Sequence, residues 1–111
     1  MASSSNANNL TLKSLVDKVK LNGTNYLDWD RSLRIVLRYE RKEYVLDKAI
    51  PTDPAPNASR VIKDAHEKHI NDSSDVGCIM LSCMESDLQE QFMELSGDPH
   101  SMLGQIKELF K

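Results

Sequence analysis

The sequence predicts an all-α domain, a compact bundle of about five to six helices. Apolar residues recur at helical spacing along most of the chain, and no stretch alternates cleanly as a half-buried strand would. The interruptions fall at Gly, Pro and Asn/Ser clusters, which punctuate helices. At 111 residues the chain fits one domain. Aromatics are scarce (one Trp, three Tyr, two Phe), so the core must rest on Leu, Ile, Val and Met.

Residues 1–9 are rich in Ser, Ala and Asn and read as a disordered lead to a helical domain over 10–111. Leu12, Leu15, Val16 and Val19 then stand at i, i+3, i+4, i+7, the mark of an amphipathic helix, with Asn9 or Thr11 as its cap. Leu21–Asn25 is a break, with Gly23 free to take positive φ. A second helix is expected from Tyr26 to Arg41. Its stripe is Tyr26, Trp29, Leu33, Val36 and Leu37, and Thr24 or Asn25 is its N-cap. Tyr44-Val45-Leu46 is long enough for one helical turn. Three prolines within residues 51–56 exclude a helix and predict an extended surface loop.

Helical spacing resumes at Ala58, Ile62, Ala65 and His69 or Ile70, and again at Val76, Ile79, Met80 and Cys83. Asn71-Asp72-Ser73-Ser74 between them is a weak break, so 59–84 reads as one long helix or two. Leu88, Phe92 and Leu95 mark another helix, ended by Ser96-Gly97. Asp98-Pro99 starts the last one, with Asp as N-cap and Pro at the first helical position. Its apolar face is Leu103, Ile106, Leu109 and Phe110, and the pattern runs to the final residue, as in a piece of a longer protein.

Little in the chain assembles chemistry. There is no phosphate-binding Gly-rich loop and no nucleophile elbow; His66, His69 and His100 are expected at the surface or rim, without a metal. Cys78 and Cys83 lack zinc or redox spacing and read as small buried or half-buried thiols. No enzyme activity and no cofactor are expected. With no secretory signal and no apolar run of about 18 residues, no membrane partner and a cytoplasmic location are expected.

Charge is segregated. Residues 1–69 carry 12 Lys/Arg against 9 Asp/Glu, while 70–106 carry 7 Asp/Glu and no Lys or Arg. Arg31, Arg34, Arg38 and Arg41 fall at i, i+3, i+7, i+10 and share one helix face, extended by Lys42 and Lys48. Three readings stay open for this stripe: a solvated face tied to Asp28, Asp30 and Glu40, a contact for an acidic protein surface, or RNA. The chain's overall −3 lacks the basic excess of a nucleic-acid-binding domain. Opposed charge also suits head-to-tail contact between copies, or neutralisation within one fold.

The run Leu21-Asn22-Gly23-Thr24-Asn25-Tyr26-Leu27-Asp28-Trp29, with Leu33 and Leu37 after it, resembles the Leu-x-Gly-x-Asn-Tyr-x-x-Trp opening of Gag proteins from plant copia-type LTR retrotransposons. Asp75–Leu81, with Ile79, followed by Glu85–Leu88, resembles that family's central helix. Met102–Phe110, with Leu103 and Phe110, resembles its closing helix. The chain has Tyr44 where many relatives have Trp, and no Trp in the closing helix. The resemblance implies a retroviral-capsid-like N-terminal domain that self-associates through capsid-type contacts into cytoplasmic virus-like particles. It also implies a downstream Gag region as partner, with RNA bound only weakly here or through that region's zinc knuckle. A Gag-derived adaptor for protein–protein interaction is the alternative; a small enzyme or metal protein is disfavoured by the missing motifs.

Overall fold

The structure is a computed structural model that describes residues 20–111. The domain is all-α. Among the described residues five helices follow in order: α1 Tyr26–Tyr39, α2 Tyr44–Asp47, α3 Arg60–Ser82, α4 Ser86–Phe92 and α5 Pro99–Leu109, with a 3₁₀ turn Met93–Leu95 between the last two. The only extended pairing among the described residues is an isolated parallel bridge, Leu21 to Met84. The lead over 1–9 and the helix predicted from Leu12 to Val19 lie outside the described residues.

One face of α1 forms the heart of the core. Trp29, Leu33, Val36 and Leu37 are buried, and Val45, Leu46, Val76, Met80, Phe92, Met102, Leu103 and Ile106 close around them. Helix α1 stops at Tyr39, two residues short of the expected Arg41. Arg41 adopts φ +63°, the Arg41 N–H donates to the Arg38 carbonyl at 3.1 Å, and the Lys42 N–H donates to the Leu37 carbonyl at 2.8 Å. These two bonds satisfy the terminal carbonyls and reverse the chain into α2.

Helix α3 is one continuous helix across 60–82, so Asn71–Ser74 is not a break. Asp72 and Ser73 are buried there. Asp72 Oδ2 accepts from the Tyr44 hydroxyl of α2 and from Lys68 Nζ at 2.6 Å. The Asp72 side chain, which favours turns when solvated, competes less with the helical backbone when such partners occupy it. His69, expected at the surface, is instead buried, its ring edge-on to Tyr44 at 5.1 Å. The apolar face expected from Ala58, Ile62, Ala65 and Ile70 is largely uncovered: Ile62, Ala65 and Ile70 are exposed, beside a proline loop tied down by Lys63 Nζ to the Pro56 carbonyl. The last helix begins as expected: the Asp98 side chain accepts from the Ser101 N–H, and Pro99 takes the first position.

The buried Tyr44–Asp72 contact makes stability depend on acid pH. Burial pushes the Asp72 carboxyl up, but the Lys68 ammonium and Tyr44 hydroxyl outweigh it and hold the group below its ordinary value of 3.8. The Arg38 guanidinium likewise holds Glu43 below 4.5, against its own desolvation. For carboxyls lowered on folding, the stabilisation is complete above the ordinary values and is lost as pH falls through the lower folded ones. Urea midpoints should therefore hold steady down to about pH 5 and decline below about pH 4.5. Asp72→Asn should lower the midpoint at pH 7 and flatten that decline; parallel pH curves for the two proteins would contradict the assignment.

Candidate assembly surface

The segment that carries the family resemblance is a clamp built from the turn upward. Gly23 takes φ +96°, a conformation that L side chains rarely adopt. Asn22 Oδ1 accepts from the Thr24 N–H at 3.0 Å and the Thr24 hydroxyl at 2.9 Å. Asn25 precedes α1 but does not cap it with its side chain. Its Oδ1 accepts instead from the Asn22 N–H, and its Nδ2 donates to the Lys20 carbonyl at 2.8 Å. Tyr26 stacks on Phe110 of the closing segment at 6.0 Å between centroids. The Cys83 carbonyl, at the end of α3, receives both the Leu21 N–H at 2.8 Å and Trp29 Nε1–H at 2.9 Å. The Leu21 carbonyl accepts from the Glu85 N–H at 3.1 Å. Leu21, Trp29, Leu33, Leu37 and Leu103 are buried; Tyr26, Ile79 and Phe110 pack partly buried against them.

The arginine stripe is not one uniform surface. Arg31 is exposed and pairs with Asp28 at 2.6 Å. Arg34 is half-buried and lies 3.4 Å from each of Asp30, Glu43 and Asp47. Burial opposes its charge, yet Asp30, Asp47 and Glu43 together raise its pKa above the usual value. Arg38 is exposed but grips Glu43 at 2.9 Å and 3.2 Å. Arg41 is exposed on its left-handed turn and makes no ion pair among the described residues. Sequence spacing named Glu40 as a partner of the stripe. The partners that were missed, Glu43 and Asp47, come from α2, folded back by the Arg41 turn; no helical spacing encodes them.

Three exposed apolar residues stand among these arginines: Leu27 (75% exposed), Ile35 (60%) and Tyr39 (61%). Elsewhere, Met93 is 55% exposed between Glu90 and Glu94, within the stretch that has no Lys or Arg. Exposed apolar residues beside charged groups can bury area against a second surface while the charges favour a partner of opposite sign.

The remaining titratable groups offer little chemistry. Burial pushes the Cys83 thiol up to about 11, which leaves it a poor nucleophile. Cys78 is exposed, not the buried or half-buried thiol expected, whereas Cys83 is buried. No group of three or more His, Cys, Asp or Glu that could hold a metal occurs among the described residues. No helix among them is long and apolar enough to cross a membrane. No family model, no curated protein and no solved structure matches the chain.

Proposed function

We propose that the chain is a structural, self-associating capsid segment of the copia-type Gag kind, forming cytoplasmic particles with no catalytic role. What supports the reading is the pairing of unlike faces on one small helical body. One exposed apolar face carries Leu27, Ile35 and Tyr39 beside the Arg31–Asp28 pair and Arg41, unpaired among the described residues; an acidic stretch carries Glu90, Met93 and Glu94. A face that is not self-complementary makes heterologous contacts, which build rings or open lattices rather than closed dimers. The Leu21–Trp29 clamp fits the same reading, because it fixes the angle at which α1 presents that face. Arg34 is excluded from the contact, since its three carboxylate neighbours already hold it.

The test is charge reversal read by sedimentation velocity. Arg31→Glu with Arg41→Glu should abolish the concentration-dependent species seen for the unaltered chain at low salt, and Glu90→Lys with Glu94→Lys should do the same. Combining all four should restore association. Association indifferent to every reversal would remove the electrostatic contact. A chain monomeric throughout would favour the adaptor alternative.

A further inference from the structure

We propose that the cavity between the proline loop and α3 binds a small apolar ring bearing one hydroxyl, a phenol in chemical class, with His69 Nε2 as the partner of that hydroxyl. The cavity measures about 320 Å³. Pro51 and Pro54 of the loop and Ile62 and Ala65 of α3 give it apolar walls, and His66 and His69 complete the lining. The loop is held in place: His66 Nε2–H donates to the Pro51 carbonyl at 3.2 Å, and Lys63 Nζ donates to the Pro56 carbonyl at 2.8 Å. The site lies in the first half of α3, away from the clamp that Leu21 and Trp29 make with Cys83 at the far end of that helix.

Three observations define the ligand. The first is an orphaned polar group. His69 is only 8% exposed, and its Nε2 is buried with no hydrogen-bond partner among the described residues. A buried polar atom without a partner costs free energy, so a ligand group that meets it adds to what the apolar contacts supply. The other imidazole is already engaged: a carbonyl only accepts, so His66 Nε2 must carry the proton that it donates to Pro51. The second is charge. Among the described residues no Lys or Arg lines the cavity, and the Asp53 carboxylate stands 3.6 Å from His66. A carboxylate or phosphate finds no counter-charge there. A hydroxyl both donates and accepts, so it suits either tautomer of His69. The third is size and shape. An apolar cavity of about 150 Å³ holds benzene, so this one admits a single substituted ring. It stands at the small end of ligand pockets, which disfavours larger bodies. Proline rings also pack well against aromatic faces.

The experiment titrates phenol into the full chain and follows the histidine ring and isoleucine methyl signals by NMR. Phenol should shift the His69 and Ile62 signals saturably at millimolar concentration, the range open to a ligand of so few atoms. Toluene, of similar size but without the hydroxyl, should bind at least about five-fold more weakly. His69→Leu should bring phenol and toluene to equal affinity. Because His69 also packs on Tyr44, a second variant guards against a loss of fold. Ala65→Leu adds bulk from an exposed position of α3 and should abolish both titrations while the circular dichroism spectrum stays that of the parent. No saturable shift with phenol overturns the proposal. So does equal affinity of the unaltered chain for phenol and toluene, or an Ala65→Leu variant that binds phenol as before.

Discussion

Trp29→Ala is expected to cost about 3–5 kcal/mol of stability. Trp29 heads the fully buried side chains of the protein, and every neighbour it touches would face a void. The substitution also removes the Nε1–H that reaches the Cys83 carbonyl at 2.9 Å, which ties α1 to the end of α3. The carbonyl would keep its Leu21 partner, so no acceptor is orphaned, and the loss is mainly volume and contact. Trp29→Phe separates the two effects. It retains a ring in the core, forfeits the hydrogen bond, and should cost less than the alanine variant by at least about 1 kcal/mol. Urea denaturation followed by far-UV circular dichroism is the measurement, since both variants lose the chain's single tryptophan fluorophore. Equal losses for the two would mean that burial of the ring contributes little.

Gly77→Ala should destabilise by about 2–3 kcal/mol although it improves local helix propensity. Gly77 is buried inside α3, where alanine would ordinarily gain up to about 1 kcal/mol. A Cβ at this position would stand 1.6 Å from the Ser96 carbonyl oxygen and 2.6 Å from its carbon. Both atoms are backbone, so no side-chain rotamer relieves the clash; the turn that leads into α5 must move instead. Displacing Ser96 strains the Asp98 cap and shifts Met102, Leu103 and Ile106 out of the core. Overpacking against backbone therefore outweighs the propensity gain. The guanidinium unfolding midpoint of the variant checks this, and a midpoint at or above the parent's would mean that the Ser96 turn gives way to the methyl group at no cost.

How much of this was legible in the sequence depends on how local each cause is. The stripe of α1 follows from spacing alone, since Trp29, Leu33, Val36 and Leu37 must share a face if the segment is helical. The start of α5 follows from Asp98-Pro99, whose cap needs only residues three apart. The continuity of α3 does not, because Asp72, in the middle of Asn71–Ser74, is buried against Tyr44 of a different helix. His69 is buried for the same reason, packed against that tyrosine. The close approach at Gly77 was equally hidden: an isolated glycine in a helical pattern gives no sign of the Ser96 backbone beside it. For the candidate site, spacing placed four arginines on one face but could not separate Arg34, consumed by Glu43 and Asp47 across a reversed turn, from Arg41 at its tip. The resemblance singled out Leu21, Gly23, Asn25 and Trp29, and the clamp supplies a physical reason for each, though its Leu21–Met84 pairing is a single non-local contact with no periodic trace.

The claim that carries the functional reading is that two unlike faces of one helical body attract. Light scattering gives its most direct test, as weight-average mass over a wide concentration series at low salt and again at about 0.5 M, where screening confines attraction between exposed charges to within a few ångströms. The account predicts a mass that climbs beyond the 12.6 kDa monomer with concentration at low salt and falls back toward it at high salt. A mass fixed at one monomer at every concentration and both salts would contradict it.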